Sequence, residues 1–189
     1  MARIKGTSFI EVVKVLRANR DVAATLVPAP LHGYFHDRLL PNNWYPEEEY
    51  KVLLLVVGRI LAPLITSNVW EFLGEQGASR DFARTYASFV RIGDPRGSLL
   101  LSGRIWSLYR DTGRLEVLLD PENGLRTEAR ALLYDYELAC PEIAGTITGY
   151  FRTLVRLSGG RDVRVELVKA RPYKQGPSEW TLRFDAPHT

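Results

Sequence analysis

The spacing of apolar residues along this chain changes near residue 110: helical intervals come before it, and strand-like alternation with one further helical stretch comes after it. Phe9, Val12, Val13 and Leu16 share one helical face, and Ser8 with Glu11 reads as a Ser-x-x-Glu capping box opening that helix. A second short helix is expected over 21–27, stopped by Pro28 and Pro30, with one or two helical turns over 31–40 before Pro41. Pro46 suits the first position of the next helix, and Glu47, Glu48 and Glu49 complement the positive end of its dipole. From Val52 to Val57 this helix is apolar nearly all round, so burial on most sides is expected. Asn68 and Glu71 predict a short helix closing near Gly74 or Gly77. Ser79 then opens another, carrying Phe82, Tyr86, Phe89 and Val90, which Gly93-Asp94-Pro95 ends. A last helix is expected over 96–109, with Gly97 and Gly103 inside it.

After the Asp111-Thr112-Gly113 turn, residues 114–119 alternate. Pro121-Glu122-Asn123-Gly124 signals a hairpin, and 125–136 reads as its return strand. Pro141 opens a long helix through Leu157, with Ile143, Ile147, Tyr150, Phe151 and Leu154 inward, and Ser158-Gly159-Gly160 ends it. Val163, Val165 and Leu167 alternate with polar positions, and 179–184 alternates again. Helices followed by strands argue for an α+β fold. The expectation is one domain over 1–189: a mainly helical part (1–109) and a sheet part (110–185) of about four antiparallel strands, with helix 141–157 between two hairpins.

Composition narrows the function more than the fold. The chain is 46% hydrophobic and 25% charged, ordinary globular values. The net charge of +3, from 25 basic and 22 acidic residues, is spread along the chain, so nucleic acid is not an expected partner. A single cysteine, Cys140, provides neither an internal disulfide nor a thiolate cage and suits a reducing, cytoplasmic compartment. MARIKGTSF has no apolar run behind its basic residues, so no secretory signal is read there. The most apolar stretch, 52–65, is interrupted by Arg59 and Pro63 and falls short of the ~20 residues of a membrane span.

Few residues suggest chemistry. His32 and His36 lie at i, i+4, which on a helix puts both on one face, but no spacing supplies a third ligand and no metal site is expected. Cys140 precedes Pro141 at a helix start, where a thiol pKa can fall, yet no histidine nearby in sequence serves as its base. His188 lies in the tail. No nucleophile elbow, phosphate loop or dinucleotide fingerprint occurs, and Asp94 and Asp111 sit in turns, so no catalytic residue and no enzyme activity are expected. Arg104, Arg110 and Arg114 are a candidate cationic cluster. Trp44 and Tyr45, in a proline-flanked loop, are candidate anchors for a protein partner or a homodimer.

Three stretches carry a family resemblance. YKVLLLVVGRIL followed by VWEFLGEQGASRDFARTY, then AGTITGYFRTLVRLSGGRDVRVELVKA, then EWTLRF together cover most of the chain from Tyr50 onward. Their order and spacing resemble the ligand-binding fold shared by heme–nitric oxide/oxygen binding domains, vinyl-reductase-type sensor domains and TRAPP-type vesicle transport subunits. The resemblance implies a cavity at the helix–sheet junction, where Trp106, Tyr109, Tyr134, Tyr136 and Cys140 are candidate pocket residues. The heme branch would need an axial histidine on 96–109, where there is none, and a Tyr-x-Ser-x-Arg set for the heme propionates. The nearest segment, Tyr134-Asp135-Tyr136-Glu137-Leu138, lacks both the serine and the arginine. The expectation is therefore a sensor without heme or other cofactor, binding a small apolar ligand and signalling to a partner. The alternative is a scaffold subunit with a filled core that acts through dimerisation.

Overall fold

A computed structural model describes residues 1–121, 126–137, 140–171 and 175–187, and the chain divides into two compact units. The Asn123-Gly124 hairpin turn, Leu138 and His188 lie outside the described residues.

The first unit comprises Met1–Val69 and Leu108–Thr112. Its elements are β1 (Arg3–Lys5), α1 (Gly6–Ala18), α2 (Arg20–Leu26), a 3-10 helix over Ala29–Phe35, β2 (Trp44–Pro46) and α3 (Glu47–Leu61). The expected capping box does not form: α1 starts at Gly6, where the Gly6 N–H reaches the Asn43 carbonyl at 2.8 Å. A tertiary partner thus replaces the local cap, and Glu11 instead pairs with Lys14 at 2.8 Å. Phe9, Val12, Val13 and Leu16 are buried as expected, as are Leu53, Leu54, Val56 and Val57 of α3, and the two helices are in contact. Burial of α3 is one-sided, since Val52, Leu55 and Ile60 stay half-exposed.

β1 and β2 form a short antiparallel pair that the hydrophobic pattern does not announce. Trp44 and Tyr45 belong to this strand pair rather than to a loop, and both are half-buried. Tyr45 stacks on Phe9 with ring centroids 4.7 Å apart, and Lys5 Nζ sits 4.6 Å from the Trp44 ring. The segment Leu108–Thr112 is tied to this strand pair. Ile4 bridges Arg110, the Asp111 N–H donates to the Arg3 carbonyl at 3.2 Å, and the Arg3 Nε–H donates to Asp111 Oδ2 at 2.6 Å. Burial pushes the Asp111 carboxyl up, but the hydrogen bonds from Arg3 outweigh it and hold the group below its ordinary value. Glu47 is fully buried and accepts a hydrogen bond from Arg110 Nε at 2.6 Å.

The second unit comprises Trp70–Ser107 and Gly113–Thr189. It holds α4 (Val69–Phe82) from Trp70 onward, α5 (Pro95–Leu100), α6 (Ser102–Tyr109) as far as Ser107, β3 (Arg114–Leu119), β4 (Arg126–Tyr134), α7 (Pro141–Leu157), β5 (Arg161–Lys169) and β6 (Ser178–Asp185). The helix expected over 96–109 is two helices, with Asp94 capping the first by accepting from the Gly97 N–H at 2.7 Å. The break expected at Gly74 or Gly77 is absent, because α4 runs on to Phe82, and the helix expected after Ser79 is replaced by a 3-10 turn over Ala87–Phe89. A Cβ on Gly74 would lie 2.0 Å from the Thr146 carbonyl oxygen, and one on Gly149 would lie 2.0 Å from that of Glu71. These glycines let α4 and α7 touch backbone to backbone. Arg152 of α7 clamps the contact, at 2.7 Å from Glu71 and 2.8 Å from Glu75. Burial lowers the Arg152 pKa, but its hydrogen bonds to Glu75 and Glu71 more than offset this and hold it above its ordinary value.

The sheet is antiparallel throughout, in the order β3-β4-β6-β5. One face carries Leu115, Ala129, Ala131, Leu133, Trp180 and Leu182, all buried, and the inner face of α7 is buried as well. The fold is α+β, as expected, with the strand pair β1–β2 in addition to the four-stranded sheet.

Candidate functional site

α7 begins beside the ends of β4 and β6, and there the second unit leaves a pocket of about 200 Å³. Two alternations build it. Leu133 is on the inward set of β4, and Ser178 and Trp180 are on the inward set of β6. Ile143 and Ile147, at i, i+4 on α7, supply the facing wall. The Trp180 indole N–H donates to Thr148 Oγ1 at 3.0 Å, so the ring is fixed and shows the pocket its carbon face. Polar atoms come from Cys140, Ser178 and Arg171. The Arg171 N–H donates to Ser178 Oγ at 3.1 Å, and the Arg171 guanidinium reaches the Gln175 carbonyl at 3.3 Å.

Of the five candidate pocket residues, Tyr136 and Cys140 line this space, while Trp106, Tyr109 and Tyr134 are not among its lining residues. Trp106 packs edge-on against Tyr136, with centroids 5.2 Å apart and an interplanar angle of 86°. Tyr134 is on the opposite face of β4 from Leu133, and its ring lies 4.4 Å from the Arg114 guanidinium. Tyr109 is buried in the first unit. The cationic cluster does not assemble: Arg110 pairs with buried Glu47, Arg114 pairs with Glu116, and Arg104 is exposed. His32 and His36 occupy and follow a 3-10 helix. The His32 Nε2 lies 2.9 Å from the Val27 carbonyl and the His36 Nε2 lies 2.9 Å from Arg20, so the pair does not converge. Among the described residues no group of three or more His, Cys, Asp or Glu could hold a metal ion.

Sequence reasoning missed Arg171, Ser178 and Trp180. The signal for Trp180 exists, because it shares its alternation with Leu182 and Phe184. Arg171 falls between two strands, where periodicity says nothing about direction.

No protein-family model matches the sequence, and neither does any curated protein. Solved structures do match over nearly the whole length. A mutant of T. Tengcongensis H-NOX aligns at TM-score 0.65 and 15% identity, covering 98% of this chain and 98% of that one. The chain has the H-NOX fold. An oxygen-binding H-NOX domain related to soluble guanylate cyclases, in its oxygen complex, aligns at TM-score 0.62 and 16% identity over 98% and 96% of the two chains. A mutant H-NOX protein from K. algicida, in its Fe(II) unliganded form, aligns at 0.61 and 13% identity over 98% of each.

The H-NOX fold raises heme, and the side chains do not fit it. α5 and α6 carry no imidazole or thiolate, and their buried side chains include Leu99, Ile105 and Trp106. Tyr134 faces Arg114 rather than opening a propionate-binding set. Trp106 is 5% exposed, which makes its edge-on contact with Tyr136 packed core. Trp106→Ala should therefore lower stability by about 3 kcal/mol. Chemical denaturation checks this, and a loss below about 1 kcal/mol would mean open space beside the indole.

Proposed function

We propose that this chain is a heme-free sensory domain that takes up a small, largely apolar ligand and passes the event to a protein partner, in the cytoplasm and without catalysis. The observation that carries the reading is the pocket at the start of α7, walled by Leu133, Ile143, Ile147 and Trp180. At about 200 Å³ it is smaller than the ~300–1,000 Å³ typical of drug-sized sites, which points to a small ligand. α7 supports the signalling part. Its first turn lines the pocket, while Gly145 and Gly149, farther along, lie against α4, so a ligand that displaced the first turn would press on that contact. Among the described residues no single helix is long and apolar enough to cross a membrane. The packed Trp106–Tyr136 pair favours a second reading, a scaffold with a filled core acting through dimerisation.

Two measurements on purified protein separate these readings. After expression with added hemin, no stoichiometric Soret band should survive gel filtration; a band that did would overturn the heme-free reading. Native mass spectrometry should show the 21.4 kDa chain with a small adduct that is lost on mild activation. A bare dimer without adduct would favour the scaffold.

A further inference from the structure

Among the described residues that line the α7 pocket, Arg171 carries the one permanently charged side chain, a cation. The Arg171 side chain has only donors to offer. The Ser178 hydroxyl already accepts the Arg171 backbone N–H, which leaves its own proton to give. No carboxylate and no side-chain amide is found among the described residues that line the space, and the indole N–H of Trp180 is spent on Thr148. The first turn of α7 lies on the same wall through Pro141, Ile143 and Ala144, so the positive end of a 17-residue helix faces the same region. A neutral hydrocarbon gains nothing from the guanidinium or the hydroxyl, whereas an anionic group can accept from both.

Resting on the sensory reading above, we propose that the pocket takes a small aliphatic monocarboxylate. Its carboxylate is held by the Arg171 guanidinium and the Ser178 hydroxyl, and its tail lies between Ile143, Ile147, Leu133 and Trp180. At ~30 Å³ per small group, 200 Å³ holds roughly six or seven groups, which sets the tail at about five or six carbons. A doubly charged ligand is disfavoured, since the lining offers one guanidinium against walls of carbon.

Hexanoate, with 1-hexanol as its neutral counterpart, tests this by titration against ¹⁵N-labelled full-length protein, read at the Trp180 indole N–H and the Ser178 amide. Hexanoate should shift both signals saturably and bind about tenfold or more tighter than hexanol. Arg171→Gln should remove that preference by weakening hexanoate to the level of hexanol, with hexanol unchanged; Arg171→Lys should retain part of it. Ala170→Phe, at an exposed lining position, should weaken both ligands by obstructing the pocket. Equal binding of hexanoate and hexanol would overturn the carboxylate inference and leave the apolar-ligand reading standing. So would hexanoate binding that is indifferent to Arg171→Gln. Binding of neither probe would overturn both readings. The amide spectrum of each variant reports whether it is folded, so a misfolded Arg171→Gln is recognised and the hexanoate-to-hexanol ratio in the parent still decides.

Discussion

Leu54→Asp should abolish folding of the first unit. Leu54 is 3% exposed on the buried side of α3, against α1. Truncating a buried leucine costs ~2–5 kcal/mol in lost packing, and a carboxylate without a partner adds several more whether it stays charged or takes up a proton. Total stability is ~5–15 kcal/mol, so little or none of it remains. Circular dichroism melts of parent and variant check this. With a domain this size losing ~2–4 °C per kcal/mol, a variant melting within about 5 °C of the parent would show that α3 is not the core helix of that unit. Leu55→Asp makes a useful control. Leu55 is next in sequence but less buried than Leu54, so a carboxylate there keeps more of its hydration and the variant should lose clearly less stability.

The second large effect is expected at Gly149. A Cβ there would meet the Glu71 carbonyl oxygen at 2.0 Å, and neither partner is the flexible end of a side chain. Valine adds two methyl groups to that clash, so α4 and α7 would have to part. The Arg152 pairs with Glu71 and Glu75 would be strained with them. Overpacking usually costs ~1–3 kcal/mol because side chains can shift; two backbones in contact cannot, so Gly149→Val should exceed that range. Gly77→Ala, with nothing within 4 Å of the added methyl, should be neutral or slightly stabilising as a helix-favouring change on the same helix as Gly74. Denaturant midpoints for the two variants give the contrast. Similar midpoints would mean that the α4–α7 contact is looser than the backbone distances imply.

The lining of the α7 pocket was legible only in part. Tyr136 and Cys140 could be placed near the pocket because the order of elements located the helix–sheet junction. Trp106 and Tyr134 flank the same junction in sequence, yet one lies edge-on to Tyr136 and the other on the far face of β4. Alternation says that Leu133 and Tyr134 point to opposite faces, but it does not say which face α7 covers. The arginines show the same limit. Three cations near residue 110 resemble a cluster in sequence, and only the fold shows Arg110 bonded to buried Glu47, 63 residues away.

By itself the sequence determined what depends on neighbours along the chain. Helical and strand periods mark α1, α3, α7 and the four sheet strands. Pro141 and Ser158-Gly159 bound α7, whose helix runs Pro141–Leu157 as expected, because a proline at the first turn and glycines past the last one act locally. The absence of an axial histidine on 96–109 was equally plain, since a missing residue type needs no fold to be seen. Tertiary structure decided what depends on contacts made across long sequence separations. It placed β6 between β4 and β5, formed β1–β2, and started α1 at Gly6 through the Asn43 carbonyl. It also turned Gly74 from an apparent helix end into a point where two backbones meet, and brought Arg171 and Ser178 into the lining of the α7 pocket. The physical reason is common to all of these. A glycine, a buried carboxylate or an inward serine is ambiguous on local energetics, and the partner that resolves it arrives only when the chain folds back on itself.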